Sequence, residues 1–372
     1  MNRGIKNITI KGFKSIKDIE NFELRDLNVI IGANGAGKSN LIQIFHMLSA
    51  MVNKGFADYV LERGGADSFL FNGPKETKAI ELGFDFITSL NGYNSYKAKL
   101  IPTADEIFVL NEQRRYGDYN WHSYGVASSE SKIADLREEK SVVPECNGVG
   151  FYIYDSISNW RVYHFHDTSS TSPMRRSEII EDNKKLRCNG SNIAPFLLEL
   201  KNNHRSTYNE ILDAIHLVMP FLDDFTLDVI PMGESQRVKL SWKQKGSDFP
   251  MQPYHFSDGS IRFICLATAL MQPDPPSTIV IDEPELGLHP AAISILAELI
   301  QASSKRTQVI VATQSPMLID QFGVEDIIIM SREKGASVMK RLDTNAFDSW
   351  LNDYSVGELW TKNVIEGGPV NE

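Results

Sequence analysis

Gly32-Ala33-Asn34-Gly35-Ala36-Gly37-Lys38-Ser39 fits G-x-x-x-x-G-K-[ST] at every specified position. Ahead of it lies the apolar run Asn28-Val29-Ile30-Ile31. Behind it, Leu41, Ile42, Phe45, Leu48 and Val52 recur at three- and four-residue spacing, the period of a helix with one buried face. Strand, glycine-rich turn and helix in this order form an anion cradle: the glycines let backbone N–H groups turn inward, and the helix adds the positive end of its dipole. The anion expected is the triphosphate of ATP. Lys38 reaches its β- and γ-phosphates as a point charge and the Ser39 hydroxyl ligates Mg²⁺. Asn34, Gly35, Ala36 and Gly37 supply the wrap.

A second cluster sits far downstream. Ile279-Val280-Ile281-Asp282-Glu283-Pro284-Glu285 is an apolar strand that stops at consecutive carboxylates. Ligands gather at the carboxyl ends of parallel strands, so Asp282 is placed to orient Mg²⁺ or its waters. Alone, such a segment is a common solvated strand end; beside the glycine loop it reads as part of one site. Phe256-Ser257-Asp258-Gly259-Ser260 precedes the apolar helix Ile261–Ala267. Ser257 suits a helix N-cap, and a capping hydroxyl with the free N–H groups of a helix start makes a further anion site.

The remaining pattern predicts strands at 8–13, 79–87, 151–154, 160–165, near 226–241, at 279–281 and at 309–312. Helices are predicted at 193–222, 260–271 and 291–302, with a short charged helical stretch at 133–140. Strand, helix, strand near the C-terminal end implies a parallel core sheet. Residues 90–150 are polar and give no clear period. No repeat of 20–50 residues and no long heptad run is visible.

Composition excludes several classes. No apolar run approaches the roughly 20 residues of a membrane span, and the opening residues lack a basic-then-apolar leader pattern. Cys146, Cys188 and Cys265 form no C-x-x-C pair, which argues against structural zinc and disulfides and for a reducing, cytoplasmic setting. A net charge of −10 speaks against a surface coated for nucleic acid. Arg114-Arg115, Arg175-Arg176 and Lys184-Lys185-Leu186-Arg187 are the basic clusters; they read as solvated faces, with DNA binding a possibility. His164 and His166 would share one face of a strand, as metal ligands can. Without third and fourth ligands at supporting spacing, they read as a hydrogen-bonded lobe junction.

Ile8-Thr9-Ile10-Lys11-Gly12-Phe13-Lys14-Ser15, the loop 32–40, Ser257–Ser260, the strand 279–283 and Ala312-Thr313-Gln314-Ser315-Pro316 together resemble the RecF/SMC-like ABC-class ATPases, including bacterial ATPases found in phage-defence and DNA-repair contexts. The likeness extends to Tyr163–Ser169, Asn189–Leu197 and Gly357–Trp360, leaving out roughly 90–145. It implies an α/β ABC-type ATPase head: a mixed, largely parallel P-loop sheet flanked by helices, an antiparallel β subdomain and a helical lobe. The expected division is 1–175 and 261–372 for the two parts of the nucleotide-binding lobe and 176–260 for the helical lobe. The resemblance gives Lys14 and Asn40 to the nucleotide, Glu283 to the attacking water, Pro284–Pro290 to a D-loop, and Ser257, Asp258 and Gly259 to the γ-phosphate bound by a second copy. A homodimer closed around ATP follows. Gln113 is a weak candidate for the glutamine loop.

Gln314 stands where relatives commonly carry a histidine that contacts the γ-phosphate. Glutamine donates a hydrogen bond but takes no proton, so a nucleotide-dependent scaffold with negligible turnover is the alternative to an active ATPase. The expected partner is an effector such as a Toprim-type nuclease on another chain, since the residues after 316 are too few to fold one. A transporter subunit would need L-S-G-G-Q and a switch histidine, and both are missing.

Overall fold

In the computed structural model, which describes residues 4–88, 92–141, 147–233, 235–343, 350 and 353–365, the apolar run before the glycine loop is a strand buried at every residue. Burial on both faces explains why it runs apolar instead of alternating. The chain forms two compact units, Met1–Val162 with Pro276–Val280 and Thr307–Glu372, and Tyr163–Pro275 with Ile281–Arg306.

Along the first part of the chain run β1 (Ile5–Phe13), β2 (Ile16–Glu23), β3 (Leu27–Ile31), α1 (Lys38–Val52), α2 (Phe56–Leu61), β4 (Ile80–Ile87), β5 (Tyr93–Pro102), β6 (Phe108–Tyr116), β7 (His122–Ser123), α3 (Val149–Ser158) and β8 (Trp160–Tyr163). Then come β9 (Glu178–Ile179), α4 (Ile193–Asn203), α5 (Arg205–Val218), β10 (Leu222–Thr226), β11 (Ile230–Met232), β12 (Ser235–Val238), β13 (Ser241–Gln244), β14 (Pro250–Met251) and α6 (Asp258–Met271). The chain continues through β15 (Thr278–Asp282), α7 (Pro290–Ser304), β16 (Gln308–Thr313), α8 (Pro316–Ile319), β17 (Ile327–Glu333), β18 (Ala336–Arg341) and α9 (Val356–Thr361).

The first unit carries two six-stranded sheets. One is mixed, in the order β18-β17-β3-β16-β15-β8, with β3 parallel to both β16 and β17. The other is antiparallel, in the order β2-β1-β4-β5-β6-β7. Trp160 joins α1 to the antiparallel sheet, its ring 5.2 Å from Phe45, 5.8 Å from Phe84 and 6.0 Å from Phe86. The buried Gln308 ties β16 to β1: its Oε1 accepts from Ile5 N at 2.9 Å and its Nε2 donates to Ile5 O at 2.7 Å.

Two expectations are corrected here. Phe151–Tyr154 belongs to helix α3, not to a strand. Aromatic residues favour strands, but Gly150, Ile153, Ser156 and Ile157 are the residues buried, and they follow the helical period. The long helix expected over 193–222 is two helices, because His204 leaves helical backbone (φ −132°, ψ 54°) between α4 and α5.

The second unit holds α4 to α7 and two small sheets, β10-β13-β14 and β11-β12-β9. Helix α6 is its centre, buried from Ile261 to Leu270 and packed against α5 and α7. No helix among the described residues is long and apolar enough to cross a membrane.

Candidate nucleotide-binding site

The glycine loop is shaped by what lies beneath it. A Cβ on Gly32 would overlap the Met330 carbonyl oxygen. A Cβ on Gly37 would overlap Ser337 Oγ and stand 2.9 Å from Ser15 Oγ and 3.0 Å from Met330 Cε. Gly35 and Gly37 also take left-handed backbone, φ 81° and 113°, which costs a residue with a Cβ about 1–2 kcal/mol. At Gly35 nothing lies within 4 Å, so only its φ demands glycine.

Helix α1 starts at Lys38 with no side chain capping it and no acidic residue in its first turn. Its amides and dipole therefore face an anion without a competing carboxylate. Lys38 is buried and lies over the loop, its Nζ donating to Gly32 O at 2.6 Å and Ala33 O at 3.2 Å. Lys14, at the β1–β2 turn, has φ 47°, and its Nζ sits 5.2 Å from the Phe69 ring centre. Burial, with the like charge of Arg63 adding to it, lowers the Lys14 ammonium pKa. Asn40 Nδ2 donates to Ser15 Oγ at 2.7 Å. A wrapped loop, an uncapped helix start, a buried amine and the adjacent Ser39 hydroxyl fit a magnesium-bound triphosphate.

Glu283 directly follows β15 and has φ 44°, an uncommon backbone for a residue with a side chain. Strain of this kind, of order 1–3 kcal/mol, concentrates at functional sites. The next residues coil tightly, with Leu286 N donating to Glu283 O at 3.3 Å and Leu288 N to Glu285 O at 3.0 Å. On the other strand end, Gln314 lies between β16 and α8, where the Thr313 hydroxyl accepts from Ser315 N at 3.0 Å and Ser315 Oγ caps Leu318 N at 3.3 Å. Gly357 packs against α8: a Cβ there would stand 2.5 Å from the Pro316 carbonyl oxygen, and its N donates to Asp320 Oδ1 at 2.6 Å.

Ser257 is the N-cap of α6, its Oγ accepting from Ser260 N at 3.1 Å. Gly259 and the Pro284–Pro290 segment meet, since a Cβ on Gly259 would overlap the Gly287 carbonyl oxygen. Two arginines fix this region. Arg262 donates through Nε to Phe165 O at 2.8 Å, through Nη2 to His166 O at 3.1 Å and through Nη1 to Leu286 O. Arg175 donates to Thr168 O at 3.1 Å, Pro253 O at 2.7 Å, Phe256 O at 3.0 Å and Asp258 Oδ1 at 3.0 Å. The Arg175 side chain is only 6% exposed, which corrects its reading as a solvated basic face.

Arg114 likewise pairs with Glu139, and Arg187 with Asp182 at 2.6 Å. Gln113 is exposed on β6, opposite Lys97 and Ser123. His164 and His166 are exposed past the end of β8; His164 N donates to Cys188 O at 3.1 Å, and His166 O accepts from Arg262 Nη2. Among the described residues no group of three or more His, Cys, Asp or Glu is arranged to hold a metal. Cys146 lies outside the described residues. Sequence reasoning placed Ser15 beside Lys14 without a role of its own, and missed Ser337, Met330, Arg175 and Arg262 as parts of these sites.

The comparisons agree with this architecture. Residues 27–320 match the family described as "AAA domain, putative AbiEii toxin, Type IV TA system". The chain is 22% identical over 357 residues to the Septu protein PtuA of Bacillus thuringiensis, covering 93% of this chain and 81% of that one. It is 24% identical over 322 residues to an ATP/GTP phosphatase of Helicobacter pylori, covering 78% and 79%. The fold is similar to an SMC head solved in complex with the C-terminal winged-helix domain of ScpA, at TM-score 0.61 and 19% identity over 92% of this chain and 99% of that one. This chain therefore belongs to the AAA-domain, AbiEii-like family of ATPases and has a fold like that of an SMC head.

Proposed function

We propose that the chain binds Mg-ATP in the loop Gly32–Ser39, hydrolyses it, and pairs with a second copy around the nucleotide to govern an effector protein in the cytoplasm. The observation that carries this reading is the loop itself: left-handed glycines and an uncapped helix start beside a buried lysine. Lys38, Asn34 and the loop amides would hold the phosphates, with Lys14 and Asn40 alongside, and Ser39 and Asp282 would hold Mg²⁺. The ion, when bound, supplies charge neutralisation at the phosphates. Glu283 orients the attacking water and receives its proton. Ser257 and Gly259 of the second copy offer a capped helix start to the γ-phosphate. Asp258 carries the wrong charge for such a site, and Arg175, 3.0 Å away, offsets it.

The effector is proposed as a separate nuclease, for instance of Toprim type, in anti-phage defence. The RecF-like motifs and the likeness to the Septu protein PtuA support that setting. The test is light scattering and single-turnover hydrolysis together. Glu283→Gln should keep ATP-dependent pairing and lose turnover, and Lys38→Ala should lose both. A wild-type protein that stays monomeric with Mg-ATP and binds none refutes the reading.

Gln314 favours a second reading, a scaffold that binds ATP and pairs without appreciable turnover. Equal, near-zero single-turnover rates for wild type and Glu283→Gln would select it. Whether DNA is also bound is tested by titration at rising salt with ATP present, where absence of binding at low ionic strength removes it.

A further inference from the structure

The floor of the glycine loop comes from the far end of the chain. Met330 of β17 lies under Gly32, and Ser337 of β18 lies under Gly37. Ser337 is 1% exposed, and its backbone N donates to Ser15 O at 2.7 Å. Its hydroxyl is 2.6 Å from Ala36 O and 2.7 Å from Ser15 Oγ, and Ser15 Oγ is 2.7 Å from Asn40 Nδ2.

Donor geometry orders this chain. Ser337 Oγ is the donor toward both Ala36 O and Ser15 Oγ, and shares its one proton between them. Ser15 Oγ, with two lone pairs, accepts from both Ser337 Oγ and Asn40 Nδ2. The relay links Asn40, Ser15, Ser337 and Ala36, with Asn40 and Ser337 as donors and Ser15 and Ala36 as acceptors. It joins Ala36 in the loop to Asn40 in the first turn of α1 through a side chain of the C-terminal hairpin.

We propose that Ser337 is a positioning residue for the nucleotide: through Ser15 it holds the loop in the shape that takes the triphosphate, so the hairpin Ile327–Arg341 sets ATP affinity. The inference rests on the ATP-binding reading above and touches neither Glu283 nor the paired state. Ser337→Ala removes the relay without adding bulk.

The experiment measures Mg-ATP affinity by calorimetry, and KM and kcat, well below each variant's unfolding temperature, for wild type, Ser337→Ala, Ser15→Ala, the double variant and Lys38→Ala. Ser337→Ala should weaken binding and raise KM by about three- to tenfold, the range set by one hydrogen bond, with kcat within about twofold of wild type. Ser15→Ala should do the same, and the double variant should be no worse than either, because the two hydroxyls act as one chain. If Ser337→Ala does not fold, Ser15→Ala alone carries the test. Wild-type affinity in the serine variants, with Lys38→Ala abolishing binding, overturns the proposal and leaves the ATP reading intact. Unchanged binding in Lys38→Ala as well brings down both.

Discussion

Replacing Arg175 with methionine keeps the apolar stem and removes four hydrogen bonds. Three go to backbone carbonyls. Pro253 and Phe256 are buried, while Thr168 is half-buried and can turn to water. Leaving a buried acceptor unmet costs about 1–3 kcal/mol; Pro253 O keeps its bond from Phe256 N at 3.3 Å, so the Phe256 carbonyl sets a penalty of about 1–3 kcal/mol. The fourth bond is an ion pair to Asp258, whose side chain is 67% exposed, and such pairs are worth about 0–1 kcal/mol. Urea unfolding should therefore give Arg175→Met a larger loss than Asp258→Asn, and the loss should persist in high salt. Because Phe256 immediately precedes Ser257, Arg175→Met should also weaken ATP-dependent pairing while one chain's affinity for ATP is unchanged. Equal penalties for the two variants, or a penalty for Arg175→Met that salt erases, would refute the assignment to the carbonyls.

Three further outcomes follow from particular residues. Gly37→Ala meets Ser337 Oγ as well as a left-handed φ, whereas Gly35→Ala meets only the φ, so Gly37→Ala should weaken ATP binding by about tenfold or more beyond Gly35→Ala; equal losses would deny the role of the floor. Burial pushes the Asp224 carboxyl pKa up, but bonds from Lys201 (2.7 Å) and Tyr208 (2.5 Å) outweigh it and hold the carboxyl below its ordinary range. A depressed folded value means the stabilisation is present above the unfolded pKa of about 3.9 and is lost as pH falls through the folded one, so the urea penalty of Asp224→Asn should shrink from about pH 5 downward; an equal penalty in acid would contradict it. Burial pushes the Cys265 thiol pKa up, so Cys265→Ser should leave the native titre with a disulfide reagent unchanged and lower only the denatured one, whereas a lower native titre would mean the thiol is reachable.

The loop, its strand and its helix were legible because every residue that shapes them locally is contiguous, and because a strand buried on both faces has to be apolar. Strands β5 and β6 were not legible. They are half-exposed, and although Tyr96, Ala98 and Leu100 face inward, the outward Lys97 and Lys99 and the polar residues around them swamp the alternation. Helix α3 hid behind aromatic residues whose strand preference was overridden by packing. In each case the sequence carried a period, and a different local signal masked it.

The clamps are a different kind of loss. Arg175 donates to Thr168, Pro253 and Phe256, Arg262 to Phe165, His166 and Leu286, Gln308 to Ile5 and Arg25, and Ser337 to Ala36, in every instance to a backbone carbonyl. A carbonyl belongs to all residue types alike, so the accepting position has no identity that a sequence could reveal. Only the donor is specified, and a lone arginine or serine far from its target looks like surface. Substitution at these sites is accordingly one-sided: changing a donor removes the bond, while changing an acceptor's side chain leaves its carbonyl in place. The residues that shape the phosphate loop and the start of α6 are thus detectable as donors in the folded chain, even where the motifs they support are read directly from the sequence.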